Sequence, residues 1–482
     1  MVPRDAGNRA MDGSPWSRWF ERAPGLWTPD HGSVARAARL GALVAYWVSF
    51  ALASSTADLR LIDAVRNRDR HAFQSLMRER ADINLAQPDG ATALSWAVYL
   101  EDHKTAEALI AAGAKINTSD EYGDSPLSLA CANGDSVLAA KLLEAGAEPN
   151  SARWNGETSL MLAAGSGLAE TVSLLIDKGA RLNDRESQRQ QTALMWGAAE
   201  GHTGVVETLI RAGADVSAAS KTGFTALAFA VTKNDTASIE ALLRAGASPN
   251  AASSDGASAL NIAAAYGHPE SVRLLLEAGA DYAVADEGGR SPLYSASEKG
   301  DAASVSLLLA AGADPNRRTN TLNSLVGSSS MRRADGEFAP LHIAARYGHI
   351  EVMKRLIAAG ADTKARTQGG VTFLMQSARS GNFDVVKFVY EHDSDVAATT
   401  PFGRTVIHTS INGPSLYRTQ AQICDVIRFL VSKGADPDPQ DQDGWTAISM
   451  ADIYPVDEAV EVMYQLTLAI GREVKILPVA RR

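Results

Sequence analysis

Cysteine is nearly absent: the 482 residues hold two, Cys131 and Cys424. Small disulfide-held folds need a much higher density, so packed apolar surface must hold this chain together. Aromatic residues contribute only 6% although hydrophobic residues reach 45%, which leaves small and aliphatic side chains to fill the interior. Positive charge is not in excess either. There are 46 Lys and Arg against 56 Asp and Glu, and beyond residue 53 the balance is 40 basic to 52 acidic. Nucleic acid binding would need a basic stripe set against that field; only short arginine pairs occur, so no nucleic acid partner is expected. The apolar run Leu40–Leu52 falls short of the roughly twenty residues that span a bilayer. Motifs of chemistry are missing as well: no glycine loop with lysine for phosphate, no Cys-x-x-Cys, no His-Glu-x-x-His and no Gly-x-Ser-x-Gly. We therefore expect no catalytic residue, no cofactor and no resident metal.

What is present is a period. Leu61, Leu94, Leu127, Leu160, Leu194, Leu227, Leu260, Leu293, Leu341, Leu374, Ile407 and Ile448 recur at a step of 33 in eight of eleven intervals. Around them runs one phrase, fullest at Ala339-Pro340-Leu341-His342-Ile343-Ala344-Ala345, then Gly348-His349, then Gly360-Ala361-Asp362. In Ser125-Pro126 and Ser291-Pro292 the hydroxyl caps a helix start and proline takes the first helical position, where no donor is needed. Leu127, Leu129, Ala130 and Cys131 then give one apolar face with small residues for close helix approach. Glycine at 134, 201, 267, 300 and 348 turns the chain into a second helix, such as Val205–Ile210, which closes at Gly213 in a left-handed conformation.

This phrase resembles the ankyrin repeat over roughly residues 56–455. The resemblance implies an all-α solenoid of about twelve helix-turn-helix units with hairpin-like linkers, beginning near Gly90, Gly123, Gly156, Gln190, Gly223, Gly256, Gly289, Gly336, Gly370, Gly403 and Gly444 after a degenerate first unit, 58–84. A single pair cannot bury its own apolar face, so stability must come from stacking on neighbours. The expected layout is an upstream extension at 1–33, an export signal at 34–53, a capping repeat at 54–89, regular repeats at 90–316, a basic loop at 317–335, irregular repeats at 336–455, and a cap and tail at 456–482.

The export signal rests on Arg36 and Arg39 before the apolar run and on Ala51-Leu52-Ala53 as a cleavage site. An uncleaved anchor is the alternative. Residues 1–33 lie upstream of a segment that ordinarily starts a protein, which suggests translation from Met11 or near Val34. The reading is of an exported protein in a bacterial periplasm, monomeric and without a stable membrane anchor after cleavage.

Repeat position accounts for most polar residues that might suggest chemistry. His202, His268 and His349 fall at the inter-helix turn and His342 and His408 after the leucine, so they are expected to make structural hydrogen bonds; His103, one place past the turn, is expected in solvent. Asp215, Asp281, Asp314, Asp362 and Asp436 recur once per unit, whereas calcium needs six to eight oxygens at one point. They are expected to hold linker amides instead. Cys131 and Cys424 stand nine units apart, too far to bridge.

Surface remains. The resemblance places the linker tips and the exposed face of the first helices on the binding side, with another protein as partner. Most tips are polar, but Tyr122 and Trp154 on adjacent units are aromatic, a residue class enriched at interface hot spots. Trp96 and Tyr99 fall on the same side and would extend these into a strip, although Trp96 shares its repeat position with Leu129, Leu162, Trp196, Phe229 and Ile262, which offers inter-unit packing as the other reading. Fifteen extra residues after Leu293 bring Arg317, Arg318, Arg332 and Arg333, a basic loop suited to a small anionic ligand or an envelope component as the second reading. Eight extra residues at 412–419 separate the two helices of the unit around Ile407, and Asp393-Ser394-Asp395 replaces Gly-Ala-Asp. The C-terminal third is expected to be weaker, with apolar Val460, Val462, Met463 and Leu466 sealing its end.

Overall fold

The computed structural model describes residues 58–320, 336–411, 419–451 and 456–474. The upstream extension, the export signal, Arg332 with Arg333 and most of the 412–419 insertion lie outside the described residues. Among those described there are 24 helices and no strand, arranged as twelve consecutive pairs from Arg60–Arg66 with Arg70–Arg78 to Ala447–Ala451 with Asp457–Ala469. The chain divides into two units, Met1–Ala247 and Ser248–Arg482, and each holds six of the pairs.

Within each unit first helices stack on first helices and second helices on second helices. The recurring leucine is the reason: all twelve residues of that series are at most 4% exposed. Burying one such side chain is worth about 1.5–3 kcal/mol, so the period is a period of core contacts. Second helices answer with Leu109, Leu142, Leu175 and Leu209 in the first unit, and with Leu275, Leu308 and Leu356 in the second, all buried.

The helix starts follow from hydroxyl chemistry. Thr92, Ser125, Thr158, Thr192 and Thr225 each accept the amide of the residue three further on, and Pro126 and Pro292 occupy the first helical position. Ala339 has no oxygen to offer. There the ring of His342 takes over, its Nδ1 accepting the Ala339 amide at 3.2 Å while Nε2 donates to the Ala365 carbonyl at 3.0 Å. His202 and His349 likewise reach back to carbonyls of the preceding pair, Gly165 at 3.1 Å and Glu298 at 3.0 Å. His103 departs from expectation: its side chain is 39% exposed but pairs with Asp135 at 2.7 Å.

Linkers fold back on themselves at isolated bridges such as Ala86 to Thr92 and Ala252 to Ser258. The residue two before the helix cap is left-handed, which suits glycine. In the unit after the long insertion this residue is Glu337, φ 57°, and not Gly336. Counting from glycine therefore placed that unit one residue early, because the insertion breaks the register that the period supplies. Val456–Ala469 also changes status: Asp457–Ala469 is the second helix of the twelfth pair, packed on Ala447–Ala451 and Gln420–Ser432.

An asparagine four residues beyond the helix-closing glycine joins consecutive pairs. Asn117 accepts the Glu148 amide at 2.9 Å and donates to the Gly146 carbonyl at 3.1 Å. Asn150 repeats this with Arg181 and Gly179, Asn250 with Asp281 and Gly279, and Asn316 with Asp362 and Gly360. One side chain thus satisfies a donor and an acceptor left open at the end of a helix.

Candidate interaction surface

In the first unit the linker tips are tied to one another through the main chain. The Glu121 amide donates to the Asp89 carbonyl at 2.7 Å, Trp154 to Tyr122 at 3.1 Å, Ser187 to Asn155 at 2.8 Å and Lys221 to Arg189 at 2.8 Å. The approach is close: a Cβ on Gly123, φ 81°, would lie 2.9 Å from the Cα of Arg153. Side chains at the tips therefore stand on a rigid, cross-linked edge.

Tyr122 is 51% exposed and Trp154 70%. Arg153, between them in sequence, points inward, its Nε 2.6 Å from Asp124 and Nη1 2.9 Å from Glu157. This largely buried triad fixes the base of the loop and leaves Trp154 outward. Trp96 and Tyr99 meet on their own helix, edge to face at 5.7 Å, and the Trp96 indole donates to Gln87 at 2.9 Å. Both are partly buried. Trp196, at the same repeat position as Trp96, lies over Gly165, where an added Cβ would meet its ring at 2.9 Å. That position carries packing between pairs. The structure thus joins Tyr122 with Trp154 through the main chain and Trp96 with Tyr99 through their rings.

The basic loop is engaged within the chain where it is described. The Arg317 guanidinium donates to the Ala283 carbonyl, and Arg318 pairs with Glu337 at 3.3 Å. The Gly-Ala-Asp carboxylates hold amides two residues on: Asp215 takes Ser217, Asp281 takes Ala283, Asp314 takes Asn316, Asp362 takes Lys364 and Asp436 takes Asp438. Ser217 donates its hydroxyl to Asp215 as well, which lowers that carboxyl below its ordinary range. Among the described residues no three His, Cys, Asp or Glu converge as metal ligands. Cys131 and Cys424 are buried and free, and desolvation pushes the Cys131 thiol up to about 12, away from reactive thiolate chemistry. No helix among the described residues is long and apolar enough to cross a membrane.

A second surface went unread in the sequence. In the second unit Phe383, 39% exposed, meets Phe429 edge to face at 5.4 Å, and Tyr390 meets Phe429 at 5.6 Å, with the Lys433 ammonium 5.5 Å from both the Tyr390 and Phe429 rings. An open depression of about 400 Å³ beside them is lined by Phe383, Asp425, Arg428, Phe429 and Ser432. Its signal was an aromatic residue opening a second helix, where other pairs carry Ala169, Thr203, Thr236 or Pro269.

Stacked helix pairs presenting a row of tips define a repeat-built protein-interaction module. The sequence family described as ankyrin repeats (3 copies) matches residues 61–153, 138–220, 227–319, 318–400 and 341–441. These matches cover more than half of the chain, and the chain belongs to the ankyrin-repeat family. Among curated proteins, none matches it.

Proposed function

We propose that the chain binds another protein through the linker tips of its first unit, with Tyr122 and Trp154 as anchors, and that it acts by holding or masking that partner without turnover. The observation that carries this reading is the exposure of two large aromatic side chains on adjacent, main-chain-linked tips. Apolar area of this kind contributes binding energy only when a partner covers it, and aromatic anchors on a rigid base lose little entropy on binding. We further propose that the chain is exported to a bacterial periplasm after cleavage of the 34–53 signal, remains unanchored and works as a monomer.

Crosslinking of the tagged chain in its native envelope fraction, followed by mass spectrometry, tests the site. One dominant partner is expected, and it is lost in the Tyr122→Ala, Trp154→Ala double variant. Equal capture by both forms would remove the tips from the interface. N-terminal sequencing of the exported protein tests the signal; a terminus at or before Val34 overturns cleavage.

A further inference from the structure

The tip row of the first unit is charge-ordered. Asp89 and Glu121 stand exposed on one side of Tyr122 and Trp154, and Arg189 and Lys221 stand on the other, Lys221 exposed and Arg189 half-buried. Among the described residues, Glu121, Arg189 and Lys221 form no ion pair. Arg153 does not disturb the order, because Asp124 and Glu157 neutralise it. Arg185, exposed and with its guanidinium on the Ala219 carbonyl at 2.7 Å, offsets the buried Glu186 carboxylate that accepts the Arg189 amide, so Arg189 and Lys221 set the sign of that end.

Packed helices lie about 8–10 Å apart, so the three steps from the Glu121 tip to the Lys221 tip span roughly 30 Å. Screening at physiological salt has a length of about 8 Å, so the two ends act as separate local fields and cannot neutralise each other. An extended chain advances about 3.3 Å per residue, and roughly nine or ten residues cover the distance.

We infer that the partner presents an extended polypeptide segment of about that length, with basic side chains at one end, an apolar or aromatic side chain at its centre and acidic side chains at the other. This rests on the proposed role of Tyr122 and Trp154 and adds the partner's chemistry to it. A polyanion such as nucleic acid does not fit, since one end of the row would repel it. A uniformly basic or acidic peptide fits only half. Order along the row, and not net charge, is what the site selects.

The test is selection of a displayed library of random twelve-residue peptides on the full chain, then binding of the leading peptide to variants. Enriched peptides are expected to carry Lys or Arg at one end, an apolar centre and Asp or Glu at the other. Trp154→Ala should abolish their binding. Arg189→Glu with Lys221→Glu should weaken the leading peptide about tenfold at low salt, the combined effect of two surface pairs turned repulsive. Replacing that peptide's acidic residues with lysine should restore binding to the charge-reversed variant while weakening it on the natural chain. Peptides that need Trp154 but show no charge order overturn the inference and leave the aromatic anchors standing. Peptides indifferent to both substitutions overturn the two together.

Discussion

The two units solve the same repeat problem with different chemistry. Four residues beyond the helix-closing turn, the first unit places Asn84, Asn117, Asn150 and Asn183 in succession, neutral amides that accept the main chain of the next pair. The second unit begins with Asn250, Ala283 and Asn316, then places Lys364 and Asp438. Lys364 reaches Asp393 at 3.1 Å, and Asp393, almost fully buried, accepts the Leu374 amide at 3.2 Å. Asp438 accepts the Ile448 amide at 2.9 Å, and burial raises its carboxyl above the ordinary value. The position commonly serves to satisfy open main-chain groups but does not require asparagine, since Ser217 and Ala283 stand there too. Neutral clasps do this without desolvating charge, whereas buried acids tie the fold to one partner geometry.

Core filling differs as well. The first helical residue is Ala93, Ala193 or Ala226 in the first unit and Ala259 or Ala447 in the second, but Phe373 in one pair of the second, each at most 3% exposed. Phe373→Ala should therefore destabilise the second unit by about 3–5 kcal/mol through loss of apolar burial and an unfilled cavity. Hydrogen exchange by mass spectrometry should show faster exchange in Phe373–Tyr390 with Pro126–Glu144 unchanged. The reciprocal Ala193→Phe should cost about 1–3 kcal/mol by overpacking. Equal tolerance of both changes would show that the two cores are interchangeable.

Asp393→Ala comes next, with an expected loss of about 1–3 kcal/mol, because it leaves a buried helix-start amide without an acceptor. Lys364→Ala should matter far less, since the Lys364 side chain is 64% exposed and its pairing is screened. Urea denaturation of both variants separates cap from ion pair. Similar losses would assign the effect to the pair.

The core period was legible because stacking dictates leucine at one place per unit, and the Ser/Thr starts were legible because few side chains can cap. Tyr122 and Trp154 were found by counting from glycine, which works while the register holds. At Glu337 the count failed, since an insertion shifts register without a local signal. Asp393 looked like a motif in decay; its amide partner lies nineteen residues away and its lysine belongs to the preceding pair. The Phe383–Phe429 contact joins two helices whose spacing the 412–419 insertion alters, so no fixed period predicts it. What sequence reading missed was a register shift at one insertion, and side-chain contacts within and between helix pairs that substitute one chemistry for another.

pH sharpens the contrast further. The third helical residue is Ile62, Ser95, Ser128, Met161, Met195 or Ala228 in the first unit, none titrating near neutrality, whereas the second unit includes His342 and His408. Burial lowers the folded-state value of His408 below the ordinary value of about 6.5, so folding favours the neutral ring. Above that ordinary value both states are neutral and its full contribution is present; as pH falls below it the unfolded chain takes up the proton more readily, and stability declines. The urea midpoint of the second unit should drop between about pH 7.5 and about pH 5.5. His408→Asn should flatten that slope, because Asn261 already makes the equivalent bond to a cap amide, 3.2 Å from Ser258. An unchanged slope would place the titrating group elsewhere.

The smallest expected effect is a gain, and it falls on the otherwise regular first unit. Gln190 holds the left-handed tip position at φ 58°, where Gly123, Gly156 and Gly223 sit in neighbouring units. A side chain there costs about 1–2 kcal/mol of local strain, partly returned because glycine frees the unfolded chain. Gln190 also bonds through its amide to the Glu186 carbonyl at 3.2 Å, a contact the substitution removes. Gln190→Gly should therefore stabilise by only about 0.5 kcal/mol, within reach of matched urea titrations. A destabilised variant would mean that the side chain braces the Arg189 tip, and that regularity in the first unit is set by the edge it presents as much as by its core.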